Sequence, residues 1–183
     1  MRGSIAVGAV FVGVLASHAS ATDAGARYGF GRQATPHEIA GWDIDVSPDG
    51  TGLPAGRGSV REGAAIYAEQ CAACHGGKGD GGPMDQLAGG FGTIFDAKPH
   101  KTVGSFWPYA TTLFDFVRRA MPLDAPQSLT PDQVYAVSAY VLFLNRIVPE
   151  DAVLDATTLP KIEMPNRAGF TSAYRPATGT PKP

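Results

Sequence analysis

Cys71-Ala72-Ala73-Cys74-His75 is the stretch that decides how the rest of this chain is read. A C-x-x-C-H run puts two thiols on one helical turn, each placed to form a thioether with a vinyl group of a c-type haem, and follows them at once with an imidazole for the iron. The rival uses of a C-x-x-C pair need further thiols, and the 183 residues contain none beyond these two, which leaves nothing for a disulfide, a zinc site or a resolving cysteine. A thioredoxin-like pair would sit at the end of a strand, whereas the residues before Cys71 carry a helical pattern.

The N-terminus points outside the cytosol. Arg2, an apolar run over residues 5–16 and then Ala19-Ser20-Ala21 as an A-x-A cleavage site read as a secretory signal peptide over residues 1–21. That run is too short to span a bilayer, which takes about 20 residues. The apolar run at 134–144 is also short, and Ser138 interrupts it. The sequence therefore predicts an exported protein of the bacterial periplasm, with no membrane anchor after signal cleavage. A formal charge of −2 and a pI near 6.0 exclude the basic excess that nucleic-acid binding needs.

Composition divides what remains. Residues 22–58 are dense in Gly and Pro and predict an extended arm, with one short helix at 36–42 opened by Thr35 and Glu38. Residues 59–148 carry three helix signatures. Ser59 with Glu62 forms a capping box for a helix running to the cysteines; Thr111-Thr112 open a second through Leu113, Phe116 and Val117, stopped by Pro122. Thr130, Pro131 and Gln133 open a third, with Val134, Val137, Val141 and Leu144 on one face. No alternating strand pattern competes, so the fold is read as all-α. Residues 149–183 return to Pro-rich sequence and form a C-terminal arm and tail.

This order of helix, C-x-x-C-H, Gly-rich loop, helix ending in Met-Pro and final helix resembles class I cytochrome c. The resemblance implies that first and last helices cross beside the haem, with Gly63, Tyr67 and Tyr140 at the contact. One covalently attached haem c follows, with Cys71 and Cys74 in thioethers and His75 as the proximal ligand. A sixth ligand must be a soft or imidazole donor further along the chain. Met121, followed by Pro122, resembles the family's Met-Pro ligand loop and is the reading adopted. Met84 lies in the loop on the proximal side, Met164 follows the last helix, and His37 and His100 would make a bis-histidine site; these remain as alternatives.

The loop at 76–92 reads as a tight, positive-φ turn passing close to the haem rather than as a phosphate cradle. The resemblance implies a proline carbonyl there that accepts the proximal imidazole's hydrogen bond, and Pro83 is the match, at a shorter spacing than usual. Trp107 and Tyr109 are candidates to donate to a haem propionate or simply to wall the pocket. Lys98, Lys101, Arg118 and Arg119 are candidates to ring the haem edge and steer an acidic partner.

Residues 31–36 (Gly31-Arg32-Gln33-Ala34-Thr35-Pro36), 42–54 from Trp42-Asp43-Ile44-Asp45 to Pro54, 103–115 from Val103-Gly104-Ser105-Phe106 to Asp115, Ala139-Tyr140-Val141-Leu142 and Met164-Pro165-Asn166-Arg167 are similar to the SoxD-type cytochrome subunit of bacterial sulfane dehydrogenase. The likeness spans about residues 28–170. It implies a molybdenum-containing dehydrogenase subunit as electron donor in Sox thiosulfate oxidation, and a downstream cytochrome c as acceptor. The chain departs from two-haem members of that family, having one C-x-x-C-H. It would not be catalytic alone, since the partner performs the bond chemistry. A freely diffusing shuttle, or a subunit serving a sulfite dehydrogenase, are the alternatives.

Overall fold

The computed structural model describes residues 30–171, and the signal peptide read at residues 1–21 lies outside them. Residues 30–35 carry no regular secondary structure. From there the chain forms α1 (Pro36–Trp42), β1 (Arg57–Ser59), α2 (Val60–Gln70), α3 (Ala72–His75), α4 (Ala110–Ala120), α5 (Pro131–Leu144) and β2 (Val153–Asp155). Single 3-10 turns lie at Thr93–Phe95 and Leu159–Lys161. The fold is that of a class I cytochrome c.

Two helices start where their side chains dictate. The Glu62 amide donates to Ser59 Oγ (3.2 Å) while Glu62 Oε2 accepts from the Ser59 amide (2.8 Å). Thr130 and Gln133 repeat the exchange at 3.3 and 2.9 Å, with Pro131 at the first helical position. The start of α4 differs from the sequence reading. It begins at Ala110, its N-cap Tyr109 makes no side-chain cap bond, and the Thr111 hydroxyl donates instead to the Pro48 carbonyl (3.3 Å). The arm thus takes the hydroxyl that looked like a local cap.

α5 is the central element. Of its expected face, Val134, Val137 and Val141 are buried and Leu144 partly so, but Tyr135, Ala136, Ser138, Ala139 and Leu142 are buried too, because α2, α4, β1 and β2 pack around it. The crossing with α2 requires glycine. A Cβ on Gly63 would lie 1.9 Å from the Ala136 carbonyl oxygen, and Tyr67 then stacks against Tyr140 with ring centroids 5.2 Å apart.

The helical fold is as expected, with one small addition. β1 and β2 form an antiparallel pair with Gly58 opposite Leu154. Three-residue strands are too short to show an alternating pattern. This pair exists because β1 lies against α5, where a Cβ on Gly58 would come 2.2 Å from the Ala136 nitrogen.

Both arms pack on the helical core. The Val46 amide donates to Asp115 Oδ1 (3.0 Å), Arg118 donates to the Ile44 carbonyl (3.2 Å), and Tyr135 donates to the Pro54 carbonyl (2.9 Å). On the C-terminal side Leu154, Leu159 and Met164 are buried in the same core, and Asn166 Nδ2 donates to the Phe106 carbonyl (2.7 Å). No helix among the described residues is long and apolar enough to cross a membrane.

Candidate haem site

The end of α2, α3, α4, α5 and the loops between them enclose a cavity of about 450 Å³. That is the size of an ordinary cofactor site, and its walls are mostly apolar. Leu113, Phe116 and Val117 come from α4, Val137 and Val141 from α5, and Val103 and Leu129 from the connecting loops. Phe116 is held edge-on to Trp107, with centroids 5.8 Å apart. Glu69, Gln70 and Asp124 supply polar groups.

Cys71, Cys74, His75, Met121 and Trp107 all line this cavity. Cys71 is the C-cap of α2, and its amide donates to the Tyr67 carbonyl (2.9 Å). α3 then makes a single turn that carries Cys74 and His75. Met121 is the C-cap of α4 in extended conformation, so the chain leaves the helix at that residue. Of the alternatives, Met84 also lines the cavity, and its amide donates to the Cys74 carbonyl (3.0 Å), which places its backbone beside the C-x-x-C-H turn. Met164 is buried in the core and does not line the cavity, and His37 and His100 are exposed and away from it.

The acceptor for His75 differs from the expectation at Pro83. His75 Nδ1 lies 2.7 Å from the carbonyl oxygen of Asp85. Bonding of the Met84 amide to Cys74 turns the loop so that the carbonyl after Met84, not the one before it, reaches the ring. A backbone acceptor leaves no mark in a sequence. Because a carbonyl can only accept, Nδ1 carries the proton and Nε2 keeps its lone pair for a metal.

None of the basic residues that are candidates for the haem edge lines the cavity. Arg118 and Arg119 hold the N-terminal arm through the Ile44 carbonyl and Asp45, Lys101 stands over the Phe106 ring, and neither these nor Lys98 line the cavity. Tyr109 lies under the Arg167 guanidinium instead of in the cavity wall.

The donor set fits a covalently held haem and fits other thiol chemistry poorly. Neither cysteine is in a disulfide. Burial, reinforced by neighbouring Cys74, pushes the Cys71 thiol up to about 11, the opposite direction from a thiol activated for exchange. Burial likewise pushes Tyr67 up to about 12, so its hydroxyl stays a donor, to the Gly76 carbonyl at 3.0 Å. A thiol pair, an imidazole with a free Nε2 and a thioether on one apolar chamber match the attachment and axial chemistry of haem c.

A family model described as cytochrome c oxidase, cbb3-type, subunit III, matches residues 58–141. In the crystal structure of the sulfane dehydrogenase SoxCD from Paracoccus pantotrophus, one chain is 43% identical, with a TM-score of 0.75 over 79% of this chain and 72% of that one. A thiosulfate dehydrogenase from Stutzerimonas stutzeri (strain A1501) is 33% identical over 114 residues, which is 61% of this chain. The chain spans 35% of the length of that curated relative.

Proposed function

Since the chain belongs to the c-type cytochromes and resembles the SoxD-type cytochrome subunit of sulfane dehydrogenase, we propose that it is a periplasmic monohaem electron carrier. It takes electrons singly from a molybdenum-containing subunit that oxidises sulfane sulfur, and passes them to a downstream cytochrome c. The observation that carries this reading is the convergence of Cys71, Cys74, His75 and Met121 on one apolar cavity, with His75 Nδ1 already bonded to a backbone carbonyl.

Cys71 and Cys74 would hold a haem c through thioethers, and His75 Nε2 and the Met121 sulfur would be the protein donors to its iron. Haem c supplies one-electron exchange between ferric and ferrous iron when bound. With His75 and Met121 as donors no coordination position would stay open, which would favour outer-sphere transfer over oxygen or peroxide activation. Leu113, Val117, Val137 and Val141 exclude water and keep the local dielectric low. Similarity to SoxCD over 79% of this chain supports a dehydrogenase partner. Similarity to thiosulfate dehydrogenase supports a second reading, in which thiosulfate itself is the reductant.

The test is to purify the tagged, haem-loaded protein from its native periplasm. A mass corresponding to one haem and a stoichiometric molybdenum subunit are expected. Isolation of the cytochrome alone would instead favour a free shuttle.

A further inference from the structure

The carbonyl that meets His75 belongs to a loop with little intrinsic order. Residues 76–89 include glycines at 76, 77, 79, 81, 82 and 89, each of which adds conformational freedom. Its backbone bonds tie it to no helix beyond the single turn of α3, through Gly81 N to the His75 carbonyl and Met84 N to the Cys74 carbonyl. Gly81 N donates to the His75 carbonyl, and Leu87 N and Ala88 N both donate to Gly79, each at 2.9 Å. A loop closed only on itself and on the C-x-x-C-H turn would leave the position of the Asp85 oxygen loose.

Two side chains from the crossing helices remove that freedom. Tyr67 of α2 donates its hydroxyl to the carbonyl of Gly76, where the loop begins (3.0 Å). Asn145, the C-cap of α5, holds its far end: Nδ2 donates to the Leu87 carbonyl (3.0 Å) and Oδ1 accepts from the Gly89 amide (3.1 Å). Nδ2 also donates to Val141 O (2.9 Å), so both faces of the amide are committed. Asn145 is fully buried, and a Cβ on Gly104 would stand 2.2 Å from its Oδ1, so residue 104 must lack a side chain for the amide to sit there. A helix cap needs only the Val141 bond; the two loop bonds go beyond capping. Thr102 Oγ1 to Gly89 O (2.7 Å) and Val103 N to Leu87 O (3.3 Å) complete the far anchor from a neighbouring loop.

We propose that Tyr67 and Asn145 are positioning residues for the haem iron: from α2 and α5 they clamp both ends of loop 76–89, holding the Asp85 carbonyl on His75 Nδ1 and thereby setting the reduction potential. This rests on the reading of His75 as the proximal ligand. A hydrogen bond to the outer ring nitrogen raises the basicity of the ligating one and stabilises ferric iron. Loosening the clamp weakens that bond, favours ferrous iron and raises the potential.

The test uses the full-length, haem-loaded protein with Tyr67→Phe and Asn145→Ser, singly and together. Midpoint potential and the hydrogen exchange of His75 Nδ1–H in the ferrous state, followed by ¹⁵N NMR, are the readouts. On the order of a tenfold shift of the ferric/ferrous equilibrium toward ferrous, about 59 mV, is expected for Asn145→Ser. Tyr67→Phe shifts it less but in the same direction, and both variants exchange faster. If Asn145→Ser does not fold, Tyr67→Phe, which removes one oxygen atom, decides. Unchanged potential and exchange, with His75 resonances shifted by the haem ring current, would overturn the clamp alone. His75 resonances without that shift would overturn the ligand assignment and the clamp with it.

Discussion

Gly63 of α2 and Ala136 of α5 touch backbone to backbone: a Cβ at Gly63 would lie 1.9 Å from the Ala136 carbonyl oxygen and 2.9 Å from Tyr140 Cβ. The obstacle on the Ala136 side is main chain, so nothing flexible can yield. The helices that frame the haem cavity are as close as they are because residue 63 has no side chain.

Gly63→Ala should therefore force α2 from α5 and destabilise the haem-loaded protein by about 1–3 kcal/mol, the usual range for overpacking, measured by urea unfolding. Gly77→Ala is the control. Nothing lies within 4 Å of a Cβ there, so stability should change by less than about 1 kcal/mol. Equal losses at both sites would contradict the close crossing.

Two methionines have opposite expected phenotypes. Met121→Ala should open the sixth position, so that carbon monoxide binds the reduced protein at neutral pH while the fold persists. Met164, 3% exposed in the core, should when changed to Ala cost about 2–5 kcal/mol and leave the haem spectrum unchanged. Spectroscopy with and without carbon monoxide separates the two.

Asp115 joins the N-terminal arm to α4, accepting from Val46 N and pairing with Arg119, which also reaches Asp45. Arg119 is partly exposed, so the ion pair itself contributes no more than about 1 kcal/mol. Loss of the Val46 bond adds about 1 kcal/mol. Asp115→Ala should speed proteolysis between residues 43 and 53 by several-fold without altering the haem spectrum. Unchanged cleavage would show that the arm is held by its apolar contacts alone.

The turn after β2 should be acid-sensitive. Asp155 is held down to about 2, from an ordinary 3.8, by the Thr157 hydroxyl first and then by the Thr157 and Thr158 amides and the Thr158 hydroxyl. A carboxylate depressed in the folded state contributes stability above about 3.8 and loses it as pH falls through about 2. Acid unfolding curves should show that dependence, and Asp155→Asn should flatten it across this window.

Much of the fold was legible because its determinants are local. Ser59 with Glu62 and Thr130 with Gln133 satisfy helix ends three residues apart, while the crossing at Gly63, Tyr67 and Tyr140 was implied by the resemblance to class I cytochrome c. Asp85 was not legible as the His75 acceptor because its main chain, not its carboxylate, makes the bond. Arg118 and Arg119 looked like a free basic edge because Ile44 and Asp45, which they reach on the arm, lie 74 residues upstream. Asn145 is not singled out by any sequence motif, though a lone amide directly after Val141-Leu142-Phe143-Leu144 is the available signal. β1 and β2 depend on contact with α5, which no three-residue window displays.

The most direct measurement is stopped-flow reduction of the haem in this cytochrome reconstituted with the proposed molybdenum-containing partner, on adding a sulfane-loaded carrier protein. The account predicts one electron per cytochrome, entering at least as fast as steady-state turnover and only when both the partner and the sulfane substrate are present. A haem that stays oxidised, or that is reduced equally well without the partner, would contradict it.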